Sequence, residues 1–384
     1  MLKRDWKKSL RTPHIYKVGN NTFRIQKQLI VFIVIFAGLT FIYICPSMYH
    51  AICFHPVDSS VPLCRFYKYN KTYPITRPVE TTNGVNYKIA IISDLDERSK
   101  NLQKKDVWYS ILKTGHLLWV PLTNTLSVTW DNQDVILSSS LAMGGRGMEF
   151  SELVTFDGHL LTFDDRTGIV YSIEESQIYP WVILMDGNGK SSKGFKSEWA
   201  TVKDEQLYVG SMGKEWTTSS GQFQHNNPQW IKIISPRGET HTMNWIYNYK
   251  KLRKAINIEF PGYMIHESGI WSSEHESWFF LPRRCSIQRY NETLDETMSC
   301  NVLLKADENF KDIQVTNIGT LTPTRGFSSF KFLPGSNEKI IIALKSEEYQ
   351  GRMSTYIVAF TTDGDILMPE MKVANEKFEG FEFI

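Results

Sequence analysis

From Tyr87 to the C-terminus the apolar positions fall in short runs, each introduced by a turn, rather than at the three-to-four spacing of helices. Such runs are Tyr87 to Ile92, Leu117 to Val120, Asp134 to Leu137, His159 to Phe163 after Asp157-Gly158, Gln206 to Val209, Ser277 to Leu281, Lys339 to Leu344, and Thr355 to Phe360 before Asp363-Gly364. Many short strands punctuated by turns predict an all-β sandwich, barrel or propeller. One phrase, turn then apolar strand then polar turn, returns at HLLTFDDRTG, QLYVGSMGKE, WFFLPRR and KIIIALKSEE. Its spacing of roughly 50 to 70 residues is about what a four-stranded blade with loops requires, and about 300 residues then make five blades. Only Trp245 to Ile256 (WIYNYKKLRKAI) has a helical period, and its basic side reads as a solvated face.

The N-terminal part is patterned differently. Residues 1–28 hold Lys3, Arg4, Lys7, Lys8, Arg11, Lys17, Arg24 and Lys27 against one acid, Asp5. Leu29 to Ile44 (LIVFIVIFAGLTFIYI) follows without a charge, and apolar character continues past Pro46 to Phe54. About 20 apolar residues cross a bilayer as a helix, because a helix satisfies its own backbone there. A cleaved signal would need small residues before its cut site, where Cys45, Pro46 and Met48 are poor candidates, and a buried core helix is the other alternative. The basic flank predicts a cytosolic tail, 1–28, and a transmembrane signal anchor, 29–54, in a single-pass type II arrangement. Residues 55–86, with Pro56, Pro62, Pro74 and Pro78, read as a lumenal stalk, and 87–384 as the folded propeller domain.

Composition narrows the classes further. The chain of 384 residues is 42% hydrophobic and 22% charged, which is globular, and a net charge of +2 argues against nucleic acid as a partner. With Cys45 at the membrane, Cys53, Cys64, Cys285 and Cys300 remain on the oxidising side. An even number permits two disulfides, locally Cys53–Cys64 and Cys285–Cys300, and free thiols are the alternative. Asn70-Lys71-Thr72 and Asn291-Glu292-Thr293 are glycan acceptors on the lumenal side, whereas Asn20-Asn21-Thr22 falls in the cytosolic tail.

Several catalytic signatures are missing from the chain: no GxxxxGK[ST] loop, no GxSxG elbow, no HExxH and no CxxC. What remains is acidic, arginine-bearing and glycine-rich, and hard oxygen ligands suit calcium or magnesium rather than zinc. The segments are IISDLDERSK from Ile91, MGGRGMEFSEL from Met143, TFDDRTG from Thr162, KGFKSEWATVKDEQLYVGSMGKEWTT from Lys193 and IHESGIWS from Ile265. FLPRR from Phe280, TRGFSSFKF from Thr324 and the C-terminal FEGFEFI stand beside them. Taken singly, each could equally serve a turn or a strand end.

Together these segments resemble, in order and spacing, the calcium-activated nucleotidase family of apyrases, from about Tyr87 to Ile384. The resemblance implies a five-bladed β-propeller with calcium in its central tunnel and hydrolysis of nucleoside di- and triphosphates, with diphosphates such as UDP and GDP favoured. It also implies calcium ligands at Ser151, Glu198, Glu267, Ser328 and Glu379. Those positions lie at intervals of 47, 69, 61 and 51 residues, one per expected blade. A purely structural calcium would use the same ligand types.

For cleavage of a terminal phosphate, arginines suit charge neutralisation and an acid suits a positioned water. Arg146 and Arg166 are grouped with Asp94, Asp96, Asp164 and Asp165 as catalytic candidates. Arg283, Glu149, Glu215 and Trp216 are the substrate-binding candidates, and Trp181 and Trp199 could stack on a base or serve as blade core. The expected setting is the membrane of the endoplasmic reticulum or Golgi, with a cleaved secreted form and a homodimer left open. A calcium-containing propeller glycoside hydrolase and a non-catalytic binding propeller are the alternative functions.

Overall fold

The computed structural model describes residues 14–18, 21–25, 32–37 and 67–384. Contacts divide the chain into two units, Met1–Lys68 and Tyr69–Ile384. In the first, His14–Val18 and Asn21–Ile25 form an antiparallel hairpin, and residues 32–37 are an exposed helical turn. The remainder of the expected anchor (29–54), Asn20, Cys45, Cys53 and Cys64 lie outside the described residues. Among the described residues no helix is long and apolar enough to cross a membrane. The second unit begins earlier than the expected boundary at Tyr87. Tyr69 already packs at a tilt against Phe156, and Val79–Thr81 pairs with the strand that follows, so residues 69–86 belong to the folded unit rather than to a stalk.

That unit is a five-bladed β-propeller. Its first blade closes the ring: the C-terminal strand Phe378–Phe383 pairs with Gly84–Ser93, followed by Trp108–Val120 and Thr125–Trp130, with Phe381 opposite Ile91. The others run in chain order from the axis outward. They are Phe150–Phe156 to Gln177–Ile183, Trp199–Lys203 to Thr240–Asn244, Tyr263–Ser272 to Ile313–Asn317, and Arg325–Phe332 to Ile366–Ala374, each four-stranded and antiparallel. The recurring phrase of the sequence is the second strand of each of these four blades, His159–Asp164, Gln206–Gly210, Ser277–Ser286 and Ile340–Tyr349. The expected helix is present as Ile246–Lys254.

Five apolar clusters lie between neighbouring blades, one at each interface. Blades are flat and can bury both faces only against their neighbours, so an innermost strand is covered on both sides while an outermost one stays wet. Phe150–Phe156 is buried at every position, whereas Thr240–Asn244 is exposed at every position. Trp199 is fully buried among Trp245, Trp278 and Phe280, and Trp181 packs on Phe156 away from the axis. Both therefore serve as blade packing and not as nucleobase platforms. Cys285 and Cys300 are joined as a disulfide, with Cα atoms 5.4 Å apart.

Candidate active site

The five innermost strands neighbour one another around the axis, and each brings one of the expected calcium ligands to it. In four of them the ladder slips at that residue. The register breaks between Phe150 and Leu153 at Ser151, between His266 and Gly269 at Glu267, between Phe327 and Ser329 at Ser328, and between Phe378 and Gly380 at Glu379. A bulge frees one residue from the pairing pattern and re-aims its side chain. In the remaining blade Glu198 stands just before Trp199–Lys203, its N–H donating to Gly210 O at 2.8 Å. All five residues are largely buried apart from Glu267, which is half-buried.

Around the three glutamates stand cationic side chains. Lys196 Nζ lies 2.7 Å from Glu198 and also bonds Asp165. Arg283 joins Glu267 and Glu379, the latter at 2.8 Å, and reaches Glu348 at 2.6 Å. Lys377 Nζ sits 2.9 Å from Asp94, 2.8 Å from Asp96 and 3.7 Å from Glu379. Burial, with Glu267 and Asp165 nearby, pushes the Glu198 carboxyl up to about 8 despite Lys196. Burial likewise holds Glu379 well above the ordinary carboxylate range. Burial would raise Asp94 too, but Lys377 and the Asp96 N–H pull it below its usual value.

Beside the ring, Asp94, Glu149 and Asp165 bring one oxygen each within 4.8 Å of one another, all three buried. Glu149 orients two arginines: Arg146 bonds it through Nε and Nη2, both at 2.6 Å, and Arg166 through Nε at 2.8 Å. Asp165 Oδ1 is buried without a hydrogen-bond partner. Asp94, Asp96, Asp165, Arg166, Arg283 and Glu379 help line one open cavity of about 380 Å³.

The remaining candidates lie elsewhere. Asp164 is fully buried and accepts from Met148 N, Arg166 N and Thr167 Oγ1, so it ties a turn, and burial beside Asp165 raises it to about 7. Glu215 takes both guanidinium arms of Arg253 on the helix at 2.7 and 3.0 Å. Trp216 stacks on His225 in a two-stranded hairpin, with Lys193 over its ring. The structure does not bring Glu215 or Trp216 to the cavity. Lys196, Lys377 and Glu348 are among the cavity residues that sequence reasoning missed, as are Arg284, Arg352 and Tyr290. A signal was present, because Lys196-Ser197-Glu198 and Lys377-Phe378-Glu379 repeat a Lys two residues before an axial Glu, the spacing that puts both on one side of a strand.

Among the described residues the acids close enough to share one ion are Asp94, Glu149 and Asp165, and a carboxylate donor set fits a hard cation such as Ca²⁺, whereas the Ser151 and Ser328 hydroxyls donate to Ser197 O at 2.6 Å and Phe378 O at 3.5 Å. Fold and site thus define a class: a five-bladed propeller with a buried acidic trio and two arginines paired on its glutamate. The Apyrase family model matches residues 95–384, and the chain belongs to that family. It is 51% identical over 320 residues to the soluble calcium-activated nucleotidase 1 of Rattus norvegicus, covering 83% of this chain and 79% of that protein. The apyrase of Cimex lectularius is 47% identical over 82% of this chain and 87% of its own length. Apyrase apy-1 of Caenorhabditis elegans is 40% identical over 77% and 84%. The chain is accordingly an enzyme that hydrolyses nucleotide phosphates.

Proposed function

We propose that the enzyme is a calcium-dependent nucleoside diphosphatase, with UDP and GDP favoured and triphosphates also cleaved, anchored in the endoplasmic reticulum or Golgi with its propeller in the lumen. There it removes the diphosphates left by glycosyltransferases and so supports glycosylation and protein quality control. The observation that carries calcium dependence is the ring of Ser151, Glu198, Glu267, Ser328 and Glu379, one oxygen donor from each blade, four of them at strand bulges. The name of the rat relative, a calcium-activated nucleotidase, supports it. The lumenal setting is supported by the basic tail 1–28, the uncharged run after it and the Cys285–Cys300 disulfide. The preference for diphosphates rests on the family resemblance.

When bound, the cation would neutralise phosphate charge and polarise a phosphoryl oxygen. The chain's own groups do the rest. Arg146 and Arg166, pre-oriented by Glu149, present guanidinium nitrogens to the terminal phosphate, where charge develops in the transition state. Asp165, whose buried Oδ1 has no hydrogen bond and stands 3.7 Å from Arg166 Nε, would accept a hydrogen bond or a proton from the attacking water. Lys196, Arg283 and Lys377 pair with the axial glutamates and bring positive charge to the cavity that receives the phosphates.

The test is phosphate release from UDP, GDP, ADP, UTP and ATP with calcium or magnesium. Mg²⁺ demands a tight octahedron and keeps its waters, so it should replace Ca²⁺ poorly in a ring fixed by five blades. Equal activity with both metals, or none with any nucleoside diphosphate, would overturn the proposal. Protease added to intact microsomes tests the orientation, the expected outcome being loss of the N-terminal tail alone.

A further inference from the structure

The rim of the axial cavity includes a loop that the nucleotide chemistry above does not use. It leaves strand Ser277–Ser286, carries the short helix Glu292–Asp295 and returns at Val302, and the Cys285–Cys300 disulfide clamps its base. Tyr290, Glu292, Asp295 and Glu296 of this loop line the cavity. Asn291, between the lining residues Tyr290 and Glu292, is exposed and caps the helix: its Oδ1 accepts from Thr293 N and Leu294 N, both at 3.1 Å. Its side-chain Nδ2 has no partner among the described residues, and Thr293, which completes the Asn-Glu-Thr acceptor, is exposed as well. The cap thus engages the oxygen of the amide and leaves the nitrogen, the atom that N-glycosylation uses, open to solvent.

We propose that Asn291 carries an N-linked glycan whose first sugars stand on the rim of the axial cavity and screen its mouth against bulky molecules. This rests on the lumenal setting proposed above. The donor is a lipid diphosphate-linked oligosaccharide. A bond forms between Nδ2 and the sugar's anomeric carbon, the bond from that carbon to phosphate oxygen breaks with its electron pair, and Nδ2 loses a proton as the lipid diphosphate leaves. A free nucleotide is small enough to pass beside the sugars, whereas a nucleotide carried on a protein is not.

The full chain, expressed in glycosylating cells, tests this by mass spectrometry of the peptide bearing Asn291 before and after endoglycosidase. Thr293→Ala and Asn291→Asp both destroy the acceptor while keeping an oxygen cap on the helix, so each should lose the glycan and still fold. Turnover of free UDP should stay within about twofold in both variants, because neither changes a charge-assisted contact to phosphate. Turnover of UDP tethered through its ribose to a protein should rise several-fold. Protease protection of the propeller in microsomes separates the two readings. A protected propeller with bare Asn291 overturns the glycan alone, and a digested propeller overturns the lumenal setting on which it rests. A glycan whose loss leaves tethered and free UDP equally cleaved overturns its screening role.

Discussion

Both ends of the inner strands hold buried acids, but those acids have different partners. At the end that opens into the cavity of about 380 Å³, the carboxylates of Glu198, Glu267 and Glu379 meet, among the described residues, only lysine and arginine side chains. At the other end a second cavity of about 520 Å³ is lined by Tyr73, Thr155, Trp271, Lys331, Glu338 and Glu382. There the acids are tied down by the fold itself. Glu382 accepts from the Thr155 and Phe383 N–H groups at 2.8 and 2.9 Å and from Tyr73 OH at 2.8 Å. Glu152 accepts from Leu153 N and Ser329 Oγ and pairs with Lys331 at 3.2 Å. A carboxylate held by backbone donors cannot leave them without breaking the strand. One held by flexible cationic arms can exchange them for a metal ion. Residue type and burial are alike at the two ends, so it is the partners that separate acids able to exchange their contacts from acids tied into the fold.

The largest effect that would break this contrast is at Glu198. Glu198→Gln should weaken calcium binding by more than about 100-fold and activity with it, since a lost first ligand should cost at least what a lost supporting contact does. Calorimetry on the active protein decides it, and parental affinity in the variant would remove Glu198 from the ring. Arg146→Ala comes next, expected to lower kcat by about 100-fold while calcium affinity stays within a few-fold, the pattern of a donor used in the transition state. Steady-state kinetics paired with a calcium titration should show that split.

At the opposite end Lys331→Met should act on stability alone. It leaves Glu152 buried without its cation, so unfolding free energy should fall by about 3–5 kcal/mol while calcium affinity is unchanged. A variant that keeps its unfolding temperature but loses calcium would reverse the assignment of the two ends. The smallest effect concerns Lys232, fully buried away from the axis, its Nζ on Gly187 O at 2.6 Å and lowered to about 8 by burial. The unfolded lysine holds its proton to about pH 10.4. Between those values the unfolded state binds more protons, so stability should rise with pH, by up to about 1.4 kcal/mol per unit for one group. Lys232→Met should flatten that part of a pH–stability curve measured by denaturant titration.

The strands most legible in the sequence are those with one polar turn at each end, above all the second strands His159–Asp164, Gln206–Gly210 and Ile340–Tyr349. The inner strands Phe150–Phe156 and Phe378–Phe383 are buried on both faces, so they show no alternation and read as motifs instead. The sequence by itself determined the order of the blades and, through the family resemblance, which five positions to expect as ligands, since Ser151, Glu198, Glu267, Ser328 and Glu379 fall one to a blade. It could not assign the acids and aromatics around them. Asp164 and Asp165 are adjacent, yet one ties a turn and the other faces the cavity, while Glu215 turned out to be spent on Arg253. Those distinctions depend on which blade stands opposite and where a ladder slips, and only closing Phe378–Phe383 onto Gly84–Ser93 brings residues from both ends of the propeller to one axis.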